Sequence, residues 1–136
     1  MISRRDRQPT RDSAAPLRVV FVCGRNRWRS PTAEQLYRND PRLDVRAAGV
    51  SSSAKRRLSA KDLAWAELVI VMEKQHGARI RDQFRSEPNL PAIESLDIPD
   101  DFEFLDPELV RLIRTGTEQI LDAWIGAEAE NHPDRG

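Results

Sequence analysis

Apolar residues fall along this chain in short runs whose spacing changes from one run to the next. Val19 to Val22 are four consecutive apolar residues, rich in β-branched types and ended at Cys23 by a glycine-containing loop, which predicts a short buried strand. From Pro31 onward Ala33, Leu36 and Tyr37 recur at helical spacing, with Ser30 placed as N-cap and Pro31 at the first helical position. Asn39-Asp40-Pro41 ends that helix, because the residue before proline avoids helical backbone. Leu43 to Ala48 reads as a second, weaker strand, and Gly49 to Arg57 as a polar turn closed by three consecutive cations. Ser59 with Asp62 signals the N-terminus of a short helix ending near Glu67. Leu68 to Met72 has the unbroken apolar character of a strand covered on both faces. Ile80 and Phe84, four residues apart, predict a helix over about Lys74 to Arg85 whose cations Lys74, Arg79, Arg81 and Arg85 face solvent. After a proline-rich connector, Ala92 to Leu96 is the fourth strand candidate. Asp106-Pro107 supplies an N-cap and a first-turn proline for a last helix with the apolar stripe Leu109, Val110, Leu112, Ile113, Ile120, Leu121 and Trp124. Strands alternating with helices predict an α/β fold, a four-stranded parallel sheet flanked by helices on both faces.

Composition narrows the classes. With 136 residues and 39% apolar content the chain can bury one core, so one domain is expected over 18–125. Lys+Arg and Asp+Glu both total 22, and no global field calls for a membrane or a nucleic acid as partner. The first segment, 1–17, is arginine-rich without an apolar stretch, which reads as a disordered arm rather than a signal peptide or anchor. The acidic tail 126–136 reads as disordered too. A single cysteine points to a reducing, cytoplasmic setting. His76 and His132 are assigned no role, no residues have metal-ligand spacing, and neither metal nor cofactor is expected.

The chemistry concentrates in Cys23-Gly24-Arg25-Asn26-Arg27-Trp28-Arg29-Ser30. A strand, a short loop and a helix form a phosphate cradle, because loop N–H groups and the helix N-terminus converge on one anion. Cys23 opens the loop, where that positive field favours the thiolate. Arg29 closes it with a planar fork suited to two phosphate oxygens. Asn26 tolerates the left-handed turn of a tight loop, and Ser30 can donate to the sulfur. Trp28 reads as packing beneath the loop helix, with flanking of a substrate ring as the alternative. Arg25 and Arg27 are either solvent-facing or recruit substrates with extra negative charge. The ordinary fate of a free cysteine, a small buried hydrophobe, fits poorly at the head of an arginine-closed loop.

CGRNRWRSPTAE resembles the signature loop of the low-molecular-weight protein tyrosine phosphatases, C-x-x-N-x-x-R-S-P-x-A-E, with Cys23, Asn26, Arg29, Ser30, Pro31, Ala33 and Glu34 matching. Ala47 to Val50, Leu68 to Glu73 and Ile98 to Phe102 extend the likeness. The resemblance implies strand order 2-1-3-4 and a two-step hydrolysis through phosphocysteine, with inorganic phosphate as product and inhibitor. Its substrate would be a phosphorylated protein or a small phosphomonoester. The general acid is sought in the loop after the last strand, at the carboxyl edge of the sheet where ligands collect. Asp100 takes the acid's position in IPDDF and Asp101 is the reserve; Asp106 fits a helix cap better. Two features depart from the family: Trp28 stands where many members carry a second cysteine, and the segment after Gly49 is shorter by about twenty residues. Two other readings stay open, a phosphate- or phosphoprotein-binding module and an arsenate reductase relying on an external thiol.

Overall fold

The computed structural model describes residues 15–126; the predicted arm and tail, and His132, lie largely or wholly outside them. The chain runs β1 (Leu17–Cys23), α1 (Arg29–Tyr37), β2 (Leu43–Gly49), α2 (Ala60–Trp65), β3 (Leu68–Val71), α3 (Lys74–Gln83), β4 (Ala92–Ser95) and α4 (Pro107–Leu121), which continues as a π-helical turn over Asp122–Gly126. The strands form one four-stranded sheet in the order β2-β1-β3-β4, all neighbours parallel. This is the predicted architecture. No helix among the described residues is long and apolar enough to cross a membrane.

Apart from Arg18, whose Nε donates to Trp65 O, β1 and β3 are apolar, because period-two alternation sends their side chains to two faces that are both covered. Val19, Phe21, Cys23, Leu68, Ile70 and Met72 join Ala33 and Tyr37 of α1 and Leu109, Ile113 and Leu121 of α4 in one core. Val20, Val22, Val69 and Val71 face the other way, against Leu63 of α2 and Ile80 of α3. With both faces covered at these central positions, a polar side chain there would be cut off from water. Phe21 stacks on Tyr37 with ring centroids 6.0 Å apart, so truncating either ring costs about 3–5 kcal/mol.

Several boundaries differ from the expectation. β1 starts at Leu17, because the Leu17 N–H bonds to Arg42 O at 2.8 Å and the ladder outlasts the apolar run. α1 starts at Arg29 with Trp28 at the N-cap, and no side chain caps it. Ser30, expected as that cap, is a buried residue of the first turn whose hydroxyl serves another partner. The other two start signals hold: Ser59 and Asp62 make a reciprocal capping box, and Asp106 accepts from Glu108 N–H at the head of α4.

The chain leaves β1 for β2 on one side and returns to β3 on the other. The carboxyl ends of β1 and β3 therefore bound the crevice in which ligands of such sheets settle.

Candidate active site

β1 delivers Cys23 to that crevice, and the loop to α1 is shaped from outside. Backbone N–H groups of Val50, Ser51 and Lys55 bond the carbonyls of Cys23, Gly24 and Arg25 at 3.0, 2.8 and 2.9 Å. In a trans peptide the carbonyl and the next N–H point oppositely, and no peptide bond here is cis. Holding those carbonyls outward turns the N–H groups of Gly24, Arg25 and Asn26 inward. The Asn26 N–H reaches Cys23 Sγ at 3.1 Å, and Asn26 closes the turn at φ 56°, where asparagine is tolerated better than most side chains.

Approach of the two segments depends on Gly49. A Cβ there would lie 2.5 Å from Gly24 O and 2.9 Å from Asn26 N, both backbone atoms of the cradle.

Cys23 is 3% exposed, and Ser30 Oγ lies 3.0 Å from its sulfur. The hydroxyl also lies 2.9 Å from Asn26 Oδ1. It has one hydrogen to give: with a thiol, Sγ donates to Oγ and Oγ to Asn26; with a thiolate, the hydroxyl hydrogen turns to the sulfur. The network thus accommodates both states of the sulfur.

Arg29 is 4% exposed. Its Nη1 donates to Glu73 Oε2 at 2.5 Å and to Ile98 O at 2.7 Å, which fixes the guanidinium plane. Its Nε lies 3.6 Å from Asp100 Oδ1, and Nη2 has no protein partner among the described residues. Burial pushes the Glu73 carboxyl up, but the hydrogen bond to Arg29, the Arg29 charge and the smaller help of Gln75 and His76 together outweigh it and hold the carboxyl below its usual range. His76 Nδ1 accepts from the Glu73 N–H at 3.1 Å; burial and the Arg29 charge push the His76 pKa down to about 4, so the ring is neutral at neutral pH.

Cys23, Arg25, Arg27, Trp28, Arg29 and Asp100 line one cavity of about 60 Å³, a volume suited to a phosphate group. Asp100 is 65% exposed at its side chain and sits at the mouth. Asp101 lines a wider adjoining groove. Asp97 is turned aside by Ser95 and Lys74, and Asp106 caps α4. The acid loop is anchored by Leu105 N–H donating to the buried Thr32 Oγ1 of α1 at 2.9 Å. Trp28 joins neither core; it is half-buried, lines the cavity and carries Arg27 over its ring at 4.8 Å. The expected packing role therefore gives way to a wall of the site.

Glu73 and His76 escaped the reading from sequence. The available signal was position: both follow the carboxyl end of β3, beside Cys23 in the sheet.

No protein-family model matches the chain, and no curated protein sequence is detectably similar to it. Solved structures do match. YfkJ from Bacillus subtilis is 21% identical, covers 89% of this chain over 100% of its own length and superposes with a TM-score of 0.63. SP-PTP, a low molecular weight protein tyrosine phosphatase from Streptococcus pyogenes, is 16% identical over 85% of this chain and 98% of its own, with a TM-score of 0.65. The YwlE arginine phosphatase from Geobacillus stearothermophilus is 24% identical over 86% and 98%, with a TM-score of 0.59. The chain has the low-molecular-weight phosphatase fold.

Proposed function

We propose that the protein is a cysteine-dependent phosphatase of the low-molecular-weight tyrosine phosphatase type. The observation that carries this is the inward-turned loop: Cys23 Sγ receives the Asn26 N–H at 3.1 Å while Arg29, locked by Glu73 and Ile98 O, borders the same small cavity. The shared fold with proteins named as tyrosine and arginine phosphatases supports it.

The Cys23 thiolate attacks phosphorus in line with the leaving group. An S–P bond forms as the P–O bond breaks, and Asp100 gives its proton to the departing oxygen. Loop N–H groups and Arg29 hold the equatorial oxygens, whose charge grows in the transition state. Water, losing its proton to the Asp100 carboxylate, then attacks phosphorus. The S–P bond breaks, and the leaving thiolate is received by the Ser30 hydroxyl and Asn26 N–H. Asp101 is the reserve acid. The substrate is a phosphorylated protein or small phosphomonoester, and inorganic phosphate is product and competitive inhibitor. A nucleophile of this kind works only as a free thiol, which supports a reducing setting such as the cytoplasm.

The test is steady-state hydrolysis of 4-nitrophenyl phosphate by wild type, Cys23→Ser and Asp100→Ala. Wild-type turnover, abolished in Cys23→Ser and reduced about 10²–10⁴-fold in Asp100→Ala, is expected. An inactive wild type that vanadate nonetheless stabilises against heat would overturn catalysis and leave a phosphate-binding module.

A further inference from the structure

Beside the small cavity lies a second, wider one of about 470 Å³, lined in part by Arg25, Ser51, His76, Arg79, Asp101 and Arg29. The two share Arg25, Arg29 and Asp100, so a ligand held by its phosphate in the cradle extends past Arg25 into the wider groove. This size falls within the range of small-molecule sites.

The charges of that groove are not balanced. Glu73 is committed to Arg29, and Asp100 faces Arg29 Nε. Arg25 and Arg79 form no ion pair among the described residues, and Asp101 is the remaining carboxylate of the wall. Arg25 is held at its backbone, since its carbonyl accepts the Lys55 N–H, so its guanidinium is presented from a fixed origin. His76 and Arg79, three apart on α3, share a helix face. Because His76 Nδ1 accepts from the Glu73 N–H, the proton of the neutral ring sits on Nε2, on the side of Gly24, where a Cβ would lie 3.7 Å away. Two arginines and the imidazole thus line one groove beside the cradle, and Arg79 is exposed there, as its place among the solvent-facing cations of the helix predicts.

We propose that this groove is a second anion subsite, centred on Arg25 and Arg79, and that the preferred substrate carries an additional negative group on the leaving-group side of its phosphate. The proposal rests on the phosphatase reading for its substrate and on the groove alone for its ligand. The anion comes either from an acidic side chain flanking a phosphorylated residue or from a second phosphate on a small molecule. Exposed guanidinium contacts weaken with salt, so the preference shrinks as ionic strength rises.

The experiment compares wild type, Arg79→Ala and Arg79→Lys in two arms. In the first, kcat/KM is measured for phosphotyrosine peptides that differ only in Glu or Gln on both sides of the phosphorylated residue, with 4-nitrophenyl phosphate as internal reference. In the second, thermal stabilisation by methylenediphosphonate is compared with that by inorganic phosphate. The wild type should favour the doubly charged probe in at least one arm by about fivefold to tenfold, as one charge-assisted contact allows. Arg79→Ala should lose that preference and Arg79→Lys keep part of it; the arm that responds identifies the source of the anion. Equal treatment of paired probes by the wild type in both arms, or a preference undiminished in Arg79→Ala, overturns the subsite. If nothing is hydrolysed, the phosphatase reading fails and the second arm alone decides: selective stabilisation by methylenediphosphonate that Arg79→Ala abolishes upholds the subsite, and its absence ends it.

Discussion

Replacing Gly49 by alanine should damage the site more than replacing Gly24, although Gly24 belongs to the signature loop and Gly49 does not. Neither glycine has a positive φ, so alanine is strained at neither by backbone conformation alone and the difference is purely one of space. At Gly24 a Cβ meets only His76 Nε2, at 3.7 Å, an ordinary van der Waals contact. At Gly49 it would lie 2.5 Å from Gly24 O, 2.7 Å from Ala54 Cβ and 2.9 Å from Asn26 N. Backbone on both sides must retreat, and the retreat pulls the loop carbonyls away from Val50 and Ser51, the donors that turn the cradle inward. Overpacking of this kind costs about 1–3 kcal/mol of stability. A displacement of the loop near 1 Å lowers kcat/KM by about a hundredfold. The assay is kcat/KM for 4-nitrophenyl phosphate beside urea denaturation, so that a folded but slow enzyme is told apart from an unfolded one. Near-wild-type turnover of Gly49→Ala, with Gly24→Ala the more damaged, would refute the claim that the outer segment moulds the cradle.

Other predictions follow from single contacts. Ser30→Ala removes the hydroxyl that receives the departing sulfur; kcat should fall by about tenfold or more, and phosphocysteine should accumulate visibly by intact mass during turnover. His76 has its pKa lowered to about 4 by burial and by Arg29, so the unfolded chain binds its proton first. The stability it contributes is whole above the unfolded pKa of about 6.5 and is lost as pH falls from there to 4, by about 3 kcal/mol. The stability of a His76→Gln variant, followed by denaturation across that window, should therefore fall less steeply than that of the wild type. Asp62, 1% exposed, accepts from Arg46, Arg56 and Ser59. Asp62→Asn should cost about 2 kcal/mol in a urea titration, less than a fully buried pair would because both arginines are part-exposed.

What the chain's own pattern could reveal followed from locality. The capping box of α2 and the Asp106 cap rest on residues within three positions of one another, and the cradle is a single eight-residue run. Ser30 shows where local logic misleads. Serine before proline looks like a helix cap, but the buried sulfur and Asn26 claim its hydroxyl, and the helix starts two residues earlier, at Arg29. Glu73 lies 44 positions from Arg29, and His76 reads as a lone histidine on a polar, arginine-rich helix. Their roles exist only because β3 is hydrogen-bonded beside β1.

The segment from Gly49 to Leu58 sets a rule for anyone wishing to graft a longer recognition loop onto this scaffold. Its register against the cradle is fixed at Val50, Ser51 and Lys55, and Ala54 N–H closes a tight turn on Ser51 O. Ser52 and Ser53 form the exposed tip of that turn and donate nothing to the cradle. Inserted sequence therefore belongs at Ser52–Ser53, with its two ends kept close enough to leave the flanking donors in place. A library built there varies what the site meets while leaving the mould of its nucleophile untouched.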